Sequence, residues 1–458
     1  MSREASALSK PVAVFQLLLR RAEVDRALAL AVVAQTWSLA TGPVTLLLIA
    51  LYLTPELQGY YYTFGSLLAL QSFVELGFYL VITQFASHEW AHLGLDRAGR
   101  IMGESVALSR LVSLGRLAFK WYAVASCIFV VGVSTAGYIF FSRNPHPGID
   151  WVSPWFTLVL LTGLQLWMLP LLSLLEGCNQ VANINLFRLI RAVLGTMALW
   201  LALALGGGLW VAPVWVGVGW LVNLTFLFLR YRPFFQPFLS PPTSACMSWR
   251  SEIWPMQCRL ALSAVVSYFA FSLFNPVMFT YHSAIVAGQM GMTWQVIIAL
   301  QGVALAWVYT KVPRFGMLIA KKEYVALDRL FLRTSTVSLV VIGCGAGALW
   351  LVVYGLYTLG HPLAQRLLPP LPTGLFLLAA VLMQVGQCLV AYLRAHKREV
   401  VVVVGVVSSL AIGLLVWSLG SRYGPTGAAA GYLAVVAVFI IPYETALWFR
   451  YRAEWHKA

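Results

Sequence analysis

Of the 31 lysines and arginines in this 458-residue chain, 28 fall in alternate polar gaps between hydrophobic stretches, and only Arg143, Arg366 and Arg422 occupy the gaps between them. Cations on every second gap mark a chain that crosses a membrane repeatedly, with its basic loops on one side. Composition agrees, because 60% hydrophobic residues with 10% charged ones cannot clothe a soluble surface of this size.

Apolar segments near the roughly 20 residues needed to cross the hydrocarbon core recur throughout, and helices satisfy the backbone in lipid at that length. Twelve are predicted, at residues 27–53, 60–86, 117–141, 154–175, 183–205 and 210–229, then 255–281, 292–309, 335–354, 371–393, 400–419 and 426–449. An even number puts both termini on one side, and the basic ends at 3–26 and 450–457 predict that this side is the cytoplasm. The net charge of +15 is spread over gaps and tails rather than gathered into a domain, which points to anionic lipid headgroups and away from nucleic acid. No cleavable leader is read at the start: the apolar run 12–19 is short and followed by Arg20 and Arg21, and is expected to lie on the membrane surface. The six cysteines form no CxxC and avoid the predicted outer loops, so neither disulfides nor a zinc ribbon is expected.

Residues 230–254 break the rhythm with Pro233, Pro237, Pro241 and Pro242. The plan is therefore an N-terminal segment (1–26), a six-span lobe (27–229), a cytoplasmic linker (230–254), a second six-span lobe (255–449) and a tail (450–458). Moving the second half back by 230 residues sets Leu300, Gln301 and Tyr309 on Leu70, Gln71 and Tyr79, and Phe315 on Phe85. Either this is chance in so apolar a sequence, or the halves are a parallel repeat about an axis along the membrane normal. The outer loops, the longest at 142–153, are too short to fold a catalytic unit. The inner loops 88–116 and 313–333 are cationic and amphipathic, expected as helices along the headgroups.

His88, Glu89 and His92 spell HExxH, the helical turn that holds zinc in many metalloproteases. No third ligand is in sight, so the motif is read as a solvated helix start, with no metal. Ionisable residues inside spans are better leads, since each costs about 2.5–3.5 kcal/mol at a span's centre. Glu75, mid-span in FVELGF, can relay a proton or hold a counter-ion, or else forms a structural ion pair; Glu444 is expected near the interface. Arg26, Arg116, Lys120, Arg188, Arg191, Arg259, Lys311 and Arg333 sit just inside the cytoplasmic span ends. Each can snorkel to the headgroups; together they can form a positive vestibule for a phosphate or pyrophosphate. Arg188 and Arg191, three apart, share a helical face and can reach one anion. Gln71, Asn275 and Gln301 are polar groups on spans that can bond a sugar or, equally, a neighbouring helix. No phosphate-cradling loop is present, so a transporter driven by a gradient, the membrane potential or its substrate is expected rather than an enzyme, with no cofactor.

The stretches LTPELQGYYYTFGSLLALQSFVELGFYLVITQFASHE (53–89) and LPLLSLLEGCNQVANINLFRLIRAVLG (169–195) resemble polysaccharide flippases of the multidrug/oligosaccharidyl-lipid/polysaccharide exporter superfamily. The resemblance implies an all-α membrane protein whose two six-helix lobes form a V around a central cavity. It implies alternating access that carries an undecaprenyl pyrophosphate-linked oligosaccharide to the outer leaflet of the bacterial inner membrane, a polysaccharide polymerase being a conceivable partner. Basic lumen residues of such flippases map onto Arg26, Arg259 and Lys311. The base that some relatives carry on span two is replaced by Glu75. The alternatives are a cation-coupled antiporter of the multidrug and toxin extrusion type centred on Glu75, and an intramembrane metalloprotease using His88, Glu89 and His92.

Overall fold

The computed structural model describes residues 26–144, 146–242, 245–396 and 402–456; the surface helix expected at 12–19 lies outside them. The first half comprises α1 (Arg26–Tyr52), α2 (Pro55–Leu68), α3 (Ser72–Glu75), α4 (Phe78–Trp90), α5 (Ser105–Arg143), α6 (Val152–Gly177), α7 (Val181–Ala204) and α8 (Val211–Arg230). A short α9 (Arg232–Phe235) leads to α10 (Trp254–Phe271), α11 (Phe274–Tyr281), α12 (Ala284–Tyr309), α13 (Val312–Ala320), α14 (Tyr324–Thr358), α15 (Pro370–Ala395), α16 (Val402–Val435) and α17 (Ile441–Trp455).

Among the described residues nine helical stretches are long and apolar enough to cross a bilayer, or eleven if two bent pairs each count as a span. The last of the nine, Val402–Trp455, is 54 residues long. At ~1.5 Å per residue it measures about 80 Å, far more than a ~30 Å hydrocarbon core. It is two spans, because Gly424 interrupts it at φ 63°, ψ −150°, a conformation that only glycine adopts readily, and Pro425 withdraws the next donor. The crossings are then twelve, in two six-helix lobes.

Two further breaks have local causes. Span two bends by 47° between α3 and α4, where Leu76 and Gly77 take left-handed φ values of 53° and 66°. Span seven bends by 42° between α10 and α11. There Pro276 crowds the carbonyl four residues back, at Ser272, the residue that caps α10.

Within the first lobe α1 lies along α7, α5 along α6, and α6 and α7 along α8; within the second, α14 lies along α15, and α10 and α11 along α16. The lobes meet chiefly where α2 packs on α12. Both helices begin on one face of the bundle, the far face, opposite the terminal face where α1 starts and α17 ends. Each is capped by a hydroxyl: Thr54 accepts from Leu57 N at 3.3 Å, and Ser283 from Val286 N at 3.2 Å. The helices approach so closely that Gly59 packs on the Ala284 backbone and Gly291 on the Tyr62 ring. Gln58 crosses to the Gly288 carbonyl at 2.8 Å, a partner 230 residues on, the same shift that aligns the two halves. Tyr60 of α2 stacks on Phe141 of α5, and both meet Phe279 of α11 edge-to-face beneath this seam, at centroid separations of 4.9–5.4 Å.

The terminal face departs from expectation at the loop after span two. The loop after span two is not a surface helix but a hairpin, Leu93–Leu95 paired with Ile101–Gly103. Asp96 accepts from Arg100 N at 2.8 Å to close its turn, and Gly99 and Gly103 hold positive φ. The linker at 230–254 is strapped to α5. Arg116 donates to Leu239 O, Ser113 accepts from Met247 N, and Ser109 donates to Ala245 O, all within 3.0–3.3 Å. Trp249 then stacks on Trp121 at 4.9 Å, and Arg110 bridges Glu89 and Glu252 at 2.8 Å each.

Candidate functional site: a cavity between the lobes

A cavity of about 1040 Å³ lies between the lobes in the half of the bundle nearer the far face, at the top of the range for small-molecule sites. One wall is α1, whose Ser38, Thr41 and Thr45 recur every three or four residues and so share a helical face. Each hydroxyl donates to the carbonyl four residues back, at 2.8–3.1 Å. Their protons are thus used within the helix; Thr45 already accepts from Trp200 Nε1 at 2.9 Å, and the lone pairs of Ser38 and Thr41 remain for a ligand's donors. The other walls contribute the rings of Tyr61, Trp215, Phe271 and Trp294, and the amides of Asn275 and Gln295. Among the described lining residues no side chain is a carboxylate, and the single charge is Arg366.

Arg366 ends a short helical turn, Pro362–Arg366, at the far face. That turn is fixed by its own backbone: Gln58 donates to Arg366 O at 3.1 Å, Gln289 to Gln365 O at 3.0 Å, and Leu368 N to Thr293 Oγ1 at 3.0 Å. The guanidinium itself makes one marginal contact, to Gln58 Oε1 at 3.5 Å. Burial lowers it below its ordinary value, with Glu56 acting in the opposite direction.

A second pocket, about 370 Å³, lies inside the first lobe and is lined by Gln71, Ser72, Glu75, Thr162, Gln165 and Trp215. Glu75 ends α3 at the break of span two, and Gln71 donates to its Oε2 at 3.2 Å. Glu75 thus places a carboxylate on the lining of this chamber, one residue before the left-handed turn.

The remaining predicted residues are scattered. Asn275 lines the cavity and donates to Ser66 Oγ at 3.0 Å. Gln301 turns inward within the second lobe, to Ala380 O at 3.5 Å. Arg188 is ion-paired with Glu176, while the stem of Arg191 lies beside Gly219 and Gln165 of the neighbouring helices. Arg26 and Arg259 are exposed and Lys311 is half-buried; none lines the cavity, because they stand at the terminal ends of spans and the cavity is nearer the far face. Glu444, expected at the interface, packs instead on Gly386, with Oε2 buried and no hydrogen-bond partner among the described residues. In the HExxH stretch α4 ends at Trp90, and Glu89 is committed to Arg110 while His92 stands 3.6 Å from Glu104.

Two of the cavity's features were open to sequence reasoning but not used. The hydroxyl spacing on α1 is visible in the sequence, and Arg366 is one of three cations that break the charge alternation.

No family model and no curated protein matches the sequence. The fold is shared with solved membrane transporters. The lipid II flippase MurJ in an inward closed conformation superposes with a TM-score of 0.66 at 12% identity, covering 92% of this chain and 87% of that one. An inward-facing multidrug resistance MATE family transporter of the MOP superfamily superposes with a TM-score of 0.62 at 13% identity, covering 92% and 98%. A MOP superfamily transporter from Pyrococcus furiosus gives a TM-score of 0.52 at 11% identity, covering 95% and 97%.

Proposed function

We propose that this chain is a flippase that moves an undecaprenyl pyrophosphate-linked oligosaccharide from the cytoplasmic to the periplasmic leaflet of a bacterial inner membrane, by alternating access of its two lobes. The observation that carries this reading is the lining of the large cavity: acceptor hydroxyls, amides and aromatic rings, with no carboxylate among the described residues. Such a lining suits the hydroxyls and apolar faces of a sugar and offers a cationic drug no carboxylate, only the attraction of ring faces. Its α1 wall is one helix thick, held along α7 and scarcely packed elsewhere, so a polyprenyl tail can stay in lipid while the head enters. The terminal face is the cytoplasmic one in this reading. There Arg26, Arg191, Arg259 and Lys311 draw in the anionic head, anionic lipids neutralise the remaining cations, and a polysaccharide polymerase takes the product on the other side.

The test is to delete the gene and treat spheroplasts with an impermeant glycosidase. Lipid-linked oligosaccharide that accumulates in a protected, inward-facing form, and is exposed again when the gene is restored, is the expected result. Unchanged exposure overturns the flippase reading.

A second reading, a cation-coupled antiporter of the multidrug extrusion type, is favoured by the Glu75 chamber alone. It predicts drug efflux that fails in Glu75→Gln while the lipid-linked sugars stay as in the wild type.

A further inference from the structure

We infer that Arg366 is the residue that holds the phosphate-bearing head of the cargo inside the cavity, at its far-face end. The inference rests on the transport reading above and adds to it a binding residue that the clustered cations of the terminal face do not supply.

Four observations converge on this guanidinium. It is the single charge among the described residues that line the cavity. No carboxylate of the described residues stands within ion-pair distance of it, whereas Arg188 and Arg452 each hold one and Arg110 holds two. Its one side-chain contact, 3.5 Å to Gln58 Oε1, leaves most of its five N–H donors without a partner. Its backbone, by contrast, is held by both lobes through Gln58 and the Thr293–Leu368 bond. A half-buried fork of donors on a fixed backbone, on which Glu56 acts only from beyond ion-pair distance, is a costly arrangement unless an anion completes it. Arginine suits phosphate oxygens, which it can meet with two parallel bonds.

The chemistry assigned to this end of the cavity is therefore a phosphate ester or pyrophosphate at the head of a lipid. The α1 hydroxyls and the rings of Tyr61 and Trp294 then face the sugars attached to it. Arg366 lies in the loop between α14 and α15, outside the spans, so it acts where the head arrives rather than where it enters.

The test uses the full chain, purified in a neutral detergent, and measures direct binding of farnesyl pyrophosphate, farnesol and phosphatidylglycerol to the wild type and to Arg366→Ala, Arg366→Gln and Arg366→Lys. The wild type is expected to bind farnesyl pyrophosphate. Binding should weaken about 10- to 100-fold in the alanine and glutamine variants, the worth of a charge-assisted bond, and less in the lysine variant, with farnesol unchanged throughout. Should the alanine variant fail to fold, the glutamine and lysine variants give the same contrast. Equal binding of farnesyl pyrophosphate by wild type and Arg366→Gln overturns the role of Arg366 and leaves the flippase reading standing. A wild type that binds no farnesyl pyrophosphate removes both. If phosphatidylglycerol displaces farnesyl pyrophosphate with equal affinity, the site holds an ordinary phospholipid head and the assignment to cargo is overturned.

Discussion

The seam between α2 and α12 predicts a specific consequence for Gly288→Ala. A Cβ added at that position would lie 2.9 Å from Gly59 N and 3.1 Å from Pro55 O, where carbon contacts normally settle at about 3.5–4.0 Å. Both neighbours are backbone, so no rotamer change relieves the overlap, and α2 must move away from α12 by roughly half an ångström to restore contact distance. Overpacking of this kind costs about 1–3 kcal/mol. If the far face opens during transport, the cost falls on the closed conformation alone, and the closed-to-open ratio drops by about 5- to 150-fold. The assay is labelling of Ser66→Cys, at a seam position 8% exposed in this conformation, with an impermeant maleimide added from the far face in a background without native cysteines. Leu205→Cys, 77% exposed at the same face, controls for reagent access. Gly288→Ala should speed Ser66→Cys labelling within that range and leave Leu205→Cys unchanged, and Gly59→Ala, whose Cβ would overlap the Ala284 carbonyl oxygen much more severely, should speed it further. A lowered melting temperature with no gain in labelling would show that the strain is absorbed inside the helices, and the seam would not be a contact specific to one state.

Gly424→Ala places a Cβ on a backbone at φ 63°, ψ −150° and should cost about 1–3 kcal/mol, read as a lower melting temperature; an unchanged midpoint refutes the glycine requirement. Arg110→Ala removes two 2.8 Å ion pairs and leaves Glu89 and Glu252 as unbridged like charges. The partly exposed bridge should be worth about 1 kcal/mol at low ionic strength and less in 1 M salt, so an equal loss of melting temperature in both buffers contradicts the electrostatic account. Glu75→Gln keeps an oxygen to accept from Gln71 but cannot ionise. Transport should lose its dependence on a proton gradient at normal protein levels, and a retained dependence removes Glu75 from coupling.

The twelve crossings were legible because the bilayer, not the tertiary fold, decides how long an apolar run must be. The bend at Pro276 was not singled out by its proline alone, because Pro43 and Pro170 lie inside helices that run on as single elements. The bend at Leu76 was not legible, because leucine has no preference for left-handed backbone. There the strained turn is held by packing from the other lobe, where Leu260 presses on Gly77 at 3.1 Å from its notional Cβ. The hairpin at 93–103 was misread for want of the same information: its strands are three residues each, too short for alternation to show against a cationic background.

Site residues were legible one at a time, and their convergence was not. Whether an arginine is available to a ligand depends on which acids the fold brings to it, and those acids come from distant sequence. Glu176 reaches Arg188, Glu89 and Glu252 reach Arg110, and Asp328 reaches Arg452. The pair at 188 and 191 shares a helical face as its spacing requires, yet one member is already neutralised. Arg366 has the opposite history: it broke the charge alternation that revealed the membrane topology, and the fold brings no carboxylate of the described residues into ion-pair distance of it. A cation kept on the side where cations are rare, half-buried and with Glu56 acting on it only from beyond ion-pair distance, is better explained by a ligand than by topology.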